Sequence, residues 1–178
     1  MAELKTKLKD VVDSLGTAKF DVPTVSIVEI LQRLEAKDES LVLLDIRSEE
    51  ETSVSTIPGS ISKAEFDANP SKFADKEVVC FCTVGYISGG RTCEYRRKGL
   101  TNVKNMGDGA LLAYTQAKTA AGITKPLVKP DGSPTNEVHA FMPDLFPLAG
   151  EGMIGKSFAD PGAVLAAANE KFKETLGL

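Results

Sequence analysis

The sequence predicts an α/β fold in which a mainly parallel central sheet is flanked by helices on both faces. Two continuous apolar runs of strand length, 41–46 and 78–82, and a shorter third at 102–106 are separated by segments whose apolar residues recur at helical spacing. Runs that are apolar throughout are typical of parallel strands buried on both faces. The 178 residues, 42% hydrophobic and 26% charged, suffice for one main domain with extensions.

The first two predicted elements are helices. One closes at Gly16 and carries an apolar stripe. Its members are Leu4, Leu8, Val11, Val12 and Leu15. Ser26 is the expected N-cap of the second helix, because its hydroxyl can accept a hydrogen bond from a first-turn N–H. The apolar stripe of this second helix comprises Val28, Ile30, Leu31 and Leu34. The strand at 41–46 is then followed by a polar segment, 48–55.

The strand at 78–82 leads into a glycine-bearing loop and a helical pattern that ends at Gly99. After the third strand, the segment 107–109 predicts a turn before another helix. It is too short for a phosphate-binding loop and lacks the Lys-Ser/Thr pair that would follow one.

Beyond Lys118 the composition changes to a long segment punctuated by proline and glycine, which predicts an extended arm. The arm carries too many apolar side chains for a free linker, so we expect it to wrap over the domain. The apolar side chains of the arm are Phe141, Met142, Leu145, Phe146 and Leu148. Asp160 and Pro161 then begin a final amphipathic helix. The predicted division is an N-terminal helical extension (1–21), a central domain (22–118) and a C-terminal arm and helix packed on it (119–178), with a protein partner for the last part as an alternative.

Charge and cysteine content narrow the function classes. A net charge of −4 and a pI near 5.2 give no basic field for nucleic acid or an anionic membrane, and no run is long enough for a membrane span. Three cysteines cannot all pair within the chain, which favours a soluble protein in a reducing intracellular compartment, the cytoplasm or an organelle if a transit peptide has been removed. The single His139, expected to be structural or at the surface, has no ligand partners at metal-binding spacing, so neither a metal nor a cofactor is predicted.

Cys82 is the candidate nucleophile because it stands where the strand ends and the loop begins. Backbone N–H groups of the loop and the N-terminal end of the following helix would favour its thiolate. Gly85 allows the loop to close tightly. Cys80, inside the apolar run, and Cys93, within the helical pattern, are expected to be packing residues.

Two blocks of sequence resemble the rhodanese-like domain family. The first is the strand at 41–47 that ends in Asp-x-Arg, followed by Glu51 and the turn at 57–61. The second is the loop at 82–88, followed by the segments 99–103 and 107–114. The resemblance covers about residues 22–118 and implies a rhodanese-like α/β fold.

The chain departs from the family pattern at positions that bear on substrate binding. Thr56 stands where a histidine is common before Ile-Pro-Gly, and Ile87 stands where relatives with this loop commonly carry arginine. An arginine would hold an anion through its fork of donors, whereas isoleucine offers only apolar surface. Anion binding must then depend on loop N–H groups, on Thr83 and Ser88, or on Arg91, which could equally be a solvated helix charge.

The site that the resemblance implies has Cys82 as the catalytic residue. The remaining members are an anion-binding loop of Thr83, Val84, Gly85, Tyr86, Ile87 and Ser88, and supporting Asp45, Arg47 and Arg91. Asp45, Arg47 and Glu51 are expected mainly to fix loop conformation through salt bridges and hydrogen bonds.

The resemblance implies a sulfurtransferase of the rhodanese type, which moves sulfane sulfur from thiosulfate or a persulfide to a thiol or cyanide through a Cys82 persulfide. The alternative is a catalytically weak binding, carrier or regulatory module that uses its C-terminal arm. Phosphatase and arsenate reductase activities rank third, because they need an arginine where this chain has Ser88.

Overall fold

The computed structural model describes residues 2–177 and confirms the α/β class. Its central sheet has five parallel strands in the order β1-β5-β4-β2-β3. These are β1 (Thr24–Val25), β2 (Leu41–Asp45), β3 (Ile61–Ser62), β4 (Glu77–Phe81) and β5 (Val103–Met106). The three predicted strands are the three central ones. The two edge strands have two residues each, too short for a periodic pattern to predict.

Seven helices surround the sheet. They are α1 (Ala2–Ser14), α2 (Ile27–Glu35), α3 (Glu49–Val54), α4 (Lys63–Ala68), α5 (Tyr86–Arg97), α6 (Ala110–Gln116) and α7 (Pro161–Leu176). The predicted cap of α2 is confirmed, because the Ser26 side chain accepts from the Glu29 N–H. The polar segment after β2 is helix α3, begun by a reciprocal capping box between Ser48 and Glu51.

Both faces of the sheet are covered, as expected for a parallel sheet. Leu43, Val79 and Phe81 belong to the larger core cluster, whereas Leu44 and Cys80 belong to the smaller one. Because successive strand residues point to opposite faces, the two clusters lie on opposite sides. The N- and C-terminal helices contribute only to the larger cluster.

The segment after α6 packs against the same chain. It forms an antiparallel pair, β6 (Leu127–Val128) with β7 (Pro134–Thr135), and a parallel pair, β8 (Glu137–His139) with β9 (Ile154–Lys156), around a 3₁₀ helix (Pro143–Leu148). The Gln116 side chain donates to the Leu148 carbonyl, and the Gly150 N–H donates to Thr115 Oγ1 at 2.9 Å. A Cβ on Gly150 would lie 2.0 Å from the Thr115 carbonyl oxygen, so this close approach requires glycine.

Helix α7 is docked by one aromatic side chain. Phe172 is 3% exposed and makes edge contacts with the rings of Phe20 and Tyr86. Its ring lies over Gly90 of α5, where a Cβ would come within 2.3 Å of Phe172 Cζ. Between residues 2 and 177, no helix is both long and apolar enough to cross a membrane.

Candidate active site

Cys82 lies at the carboxyl end of β4, the middle strand of the sheet, where the chain turns into α5. Gly85 makes this turn at a φ of 89°, and the Asn105 side chain donates to its carbonyl at 3.0 Å. A Cβ at Gly85 would lie 3.3 Å from the Met106 carbonyl. Glycine is therefore required here both by its backbone angle and by the neighbouring strand.

The sulfur of Cys82 is surrounded by hydrogen-bond donors of the loop. Cys82 Sγ accepts from the Ser88 N–H and from Ser88 Oγ, each at 3.4 Å, and the Gly85 N–H is a further donor. These bonds stabilise a negative charge on sulfur, so each of them lowers the pKa of the thiol. The structure thus provides the kind of donor set that the loop sequence predicted.

Burial nevertheless raises the pKa of Cys82 above the ordinary thiol value. The residue is only 4% exposed, and removal of water penalises the thiolate more than the loop donors stabilise it. Nearby Glu51 also raises this pKa through its negative charge. The expectation that Cys82 ionises more easily than a free cysteine is therefore wrong for this structure, because it considered the loop donors without the burial of Cys82 in the smaller core cluster, beside Ile46 and Ile87.

Asp45 and Arg47 form a buried, bidentate ion pair beside the loop. Arg47 Nε and Nη2 donate to the two Asp45 carboxylate oxygens at 2.9 and 2.7 Å, and Nη2 also donates to the Ser55 carbonyl. Thr56, where the family commonly has histidine, donates its hydroxyl to Asp45 at 2.6 Å. Arg47 Nη1 is buried and has no hydrogen-bond partner within the described residues.

Glu51 connects the loop to the C-terminal arm. Its Oε1 accepts from Thr83 Oγ1 at 3.3 Å and lies 3.8 Å from His139 Nδ1. Burial raises the pKa of Glu51 and lowers the pKa of His139 to about 4. His139 Nδ1 also accepts from the Phe141 N–H, an arrangement that fits the neutral imidazole. Of the two places expected for His139, the surface is wrong, because the residue is 1% exposed.

The other predicted site residues separate into those at the loop and those away from it. Val84 and Ile87 present apolar surface to the space above Cys82. The Tyr86 hydroxyl bonds to Lys19 and Asn169, each at 2.7 Å, and so ties the loop to both terminal extensions. Arg91 instead forms an ion pair with Glu94 and is not among the residues around that space.

A cavity of about 570 Å³ opens above Cys82. Its polar side, here called the floor, consists of the loop together with the charged residues after β2. The floor residues that line the cavity are Arg47, Glu51, Cys82, Thr83, Val84, Tyr86 and Ile87. The floor also includes Asp45 and Ser88, which do not line the cavity but bond to Arg47 and to Cys82, respectively. Its opposite side, here called the roof, comes from α1, the arm and α7. The roof residues are Val11, Leu15, Phe141, Met142, Leu145, Phe158, Val164, Leu165 and Ala168.

Sequence reasoning missed the roof as a part of the site. Its residues appeared as apolar stripes of helices and as an apolar arm, but nothing in those patterns indicated which surface they would cover. The Ser-x-x-Glu spacing of Ser48 and Glu51 was a readable helix signal that was not used.

Comparisons with known proteins give one family and several similar structures. A family model described as the rhodanese-like domain matches residues 26–115, half of the chain. A protein of unknown function from Rhodopseudomonas palustris CGA009, named a possible tyrosine phosphatase, is 23% identical, with a TM-score of 0.48 over 66% of this chain and 93% of that one. A thiosulfate sulfurtransferase from Pseudomonas aeruginosa is 24% identical, with a TM-score of 0.48 over 67% of this chain and 23% of that one. A search of curated proteins gave no match.

Proposed function

The chain belongs to the rhodanese-like domain family, and on that premise we propose that it is a sulfurtransferase that carries sulfane sulfur as a persulfide on Cys82. The observation that carries the proposal is the set of donors around Cys82 Sγ, two from Ser88 and one from Gly85, at the carboxyl end of the central strand. In parallel α/β sheets this edge is where ligands bind.

In the first step, the Cys82 thiolate attacks the outer sulfur of the donor. A new S–S bond forms to Cys82 while the donor's own bond to that sulfur breaks, and the electron pair leaves with the remainder of the donor. Thiosulfate would release sulfite, and an organic persulfide would release its thiolate. The product is a Cys82 persulfide.

In the second step, an acceptor thiolate or cyanide attacks the outer sulfur of that persulfide. The Cys82–S bond to the transferred sulfur breaks, and Cys82 leaves as the thiolate. The loop donors that contact Sγ stabilise this negative charge as it returns. The enzyme is then ready for another donor.

Because burial raises the pKa of Cys82, the thiol is protonated at neutral pH and must lose its proton before it attacks. The rate of persulfide formation should therefore rise as pH increases through and above neutrality. Asp45, Arg47 and Glu51 are proposed to hold the floor in place rather than to react. Arg91, paired with Glu94, has no direct role in this proposal.

The domain division and the cellular setting are proposed on the same basis. Residues 22–118 would form the catalytic domain, with 1–21 and 119–178 as covering extensions. Cys80, Cys82 and Cys93 are all free and buried, which supports a reducing intracellular compartment.

The test is to incubate the reduced protein with thiosulfate, or with cysteine persulfide, and to measure its intact mass. We expect the mass to increase by one sulfur atom in the wild type and in Cys80→Ser and Cys93→Ser, but not in Cys82→Ser. An adduct that persists in Cys82→Ser, or no adduct from either donor at any pH up to 9, would contradict the proposal.

A second candidate is a binding, carrier or regulatory module with little turnover. It is favoured by Ile87, which places no charge at the loop, and by the raised pKa of Cys82. The two candidates differ in the second step. A persulfide that forms but is not released to cyanide or to any thiol would support the carrier.

A further inference from the structure

We infer that the substrate of this site is a small thiol or persulfide with an uncharged apolar body, bound between the floor and the roof, rather than an inorganic dianion such as thiosulfate. This inference rests on the proposed function. It adds the chemical class of the molecule that exchanges sulfur with Cys82.

The size and lining of the cavity support an organic ligand. Its volume of about 570 Å³ lies within the range of roughly 300–1,000 Å³ that is typical of small-molecule sites. The roof contributes apolar side chains from three separate segments of the chain, and Ile46, Val84 and Ile87 extend that surface beside Cys82. An ion with a full hydration shell would gain nothing from such walls, whereas a hydrocarbon body would be removed from water.

The charges around the cavity disfavour a dianion. Glu50, Glu51 and Asp144 line it, and Glu50 and Asp144 are exposed to solvent. Among the residues that the structure describes, Arg47 is the single basic side chain of the lining, and its charge is already balanced by Asp45. Thiosulfate would therefore meet acidic groups without a free cation to offset them.

One polar group remains for the sulfur end of a ligand. Arg47 Nη1 is buried and lacks an acceptor, although the other guanidinium nitrogens are bonded to Asp45 and Ser55. An unpartnered buried donor is costly, and a ligand's polar end next to Cys82 would supply its acceptor. An apolar roof with one donor at the floor fits a molecule that is apolar apart from its sulfur.

The first experiment measures binding without any sulfur transfer. Cys82 of the full chain is alkylated with iodoacetamide in the presence of linear alcohols from ethanol to octanol, which are inert analogues of the thiols. We expect protection to strengthen by about fourfold in Kd for each added methylene until the cavity is filled. Protection that does not depend on chain length would overturn the inference.

The second experiment measures transfer from the Cys82 persulfide, loaded by any donor that produces it, to linear thiols of increasing length and to glutathione. We expect kcat/KM to follow the same rise of about fourfold per methylene and to be lowest for glutathione, which is charged. Equal values for octanethiol and ethanethiol would overturn the inference. If no persulfide forms but the alcohols still protect Cys82, the proposed function is contradicted, whereas the binding of small apolar molecules in this cavity is still supported.

A matched pair of variants tests the location. Ala168 lines the cavity and Ala167, next to it on α7, is exposed and does not. Ala168→Phe should lower the ratio of octanethiol to ethanethiol kcat/KM by roughly fifteenfold, the effect of losing burial of about two methylenes. Ala167→Phe should leave the ratio unchanged. Equal ratios in the two variants, with wild-type melting temperatures, would place the ligand elsewhere.

Discussion

The floor and the roof of the cavity present different chemistry to the space beside Cys82. The floor is built on the sheet and supplies hydrogen bonds and charges, among them the two donors of Ser88 and the buried pair of Asp45 and Arg47. The roof is built from segments outside the sheet and supplies mainly apolar surface, although Ser14 and Asp144 of the same segments also line the cavity. Loop donors lower the pKa of Cys82, and burial raises it by more.

The loop around a nucleophile therefore does not determine its reactivity alone. The loop decides which atom can attack and which charge is stabilised, whereas the cover decides how much water reaches the thiol. In the function that we propose, the floor supports the chemistry and the roof selects the substrate. Four changes test that separation.

The largest effect is expected from breaking the charge pair of the floor. Arg47→Met leaves Asp45 buried without a partner and should lower the free energy of unfolding by about 3–5 kcal/mol. The control is Lys63→Met, because the Lys63–Asp67 pair is more than one-third exposed and should contribute at most about 1 kcal/mol. Both are measured by urea denaturation. Equal losses would mean that the floor is not stabilised by its buried charges.

The next effect concerns pH, at His139 where the arm meets the floor. The pKa of His139 is lowered from 6.5 to about 4 in the folded chain, so folding favours the neutral ring. The stabilisation that comes from keeping the ring neutral is fully present above pH 6.5 and decreases as pH falls from 6.5 to about 4. The total loss of stability is at most about 3 kcal/mol, at 1.36 kcal/mol per pH unit. His139→Gln should lack this loss when unfolding is measured from pH 7 to pH 4. If the free energy of unfolding changed with pH in the same way in wild type and variant, the prediction would be contradicted.

A smaller effect is expected from loosening the roof. In Gly90→Ala the new Cβ would lie 2.3 Å from Phe172 Cζ, so α7 must shift, at a cost of about 1–3 kcal/mol. Water would then reach Cys82, its pKa would fall, and alkylation at pH 7 would become faster. Adding Phe172→Leu should restore the stability and return the alkylation of Cys82 to its slower wild-type rate. Slower alkylation in Gly90→Ala would show that the roof does not control the pKa.

The smallest effect is expected from removing one donor of the floor. Ser88→Ala deletes the Oγ hydrogen bond to Cys82 Sγ and should raise the pKa of Cys82 by roughly half a unit to one unit, the value of a single hydrogen bond. Thr83→Val is the control, because Thr83 Oγ1 donates to Glu51 and not to sulfur. The pH profile of alkylation measures both. A midpoint that moves to lower pH in Ser88→Ala would contradict the role of the loop donors.

The sequence was sufficient to predict the three central strands and the loop after β4 because these depend on local patterns. The apolar runs at 41–46 and 78–82 became β2 and β4 within one residue at each end, and the loop after β4 has the predicted turn at Gly85. Capping by Ser26 was likewise a matter of neighbouring residues. In each case the interacting groups lie within a few positions along the chain.

The roof could not be predicted because it depends on contacts between distant parts of the chain. Leu15 and Leu165 line the same cavity from opposite ends of the sequence, and the sequence showed each only as an apolar position of a helix. The burial that raises the pKa of Cys82 likewise depends on distant residues, because its core cluster includes Phe66 and Val103. The same is true of His139, whose neighbour Glu51 is far away along the chain.

The Tyr86 hydroxyl, bonded to Lys19 on one side and to Asn169 on the other, joins the loop to both extensions at a single atom. A thiol-directed inhibitor would therefore draw its selectivity from its tail and not from its reactive group. The reactive group would meet the donors of Gly85 and Ser88, while a tail shaped to α1 and α7 would meet side chains from outside the sheet. Tyr86→Phe would remove this shared hydrogen-bond anchor and leave the ring contact of Phe20 with Phe172 to join the two extensions.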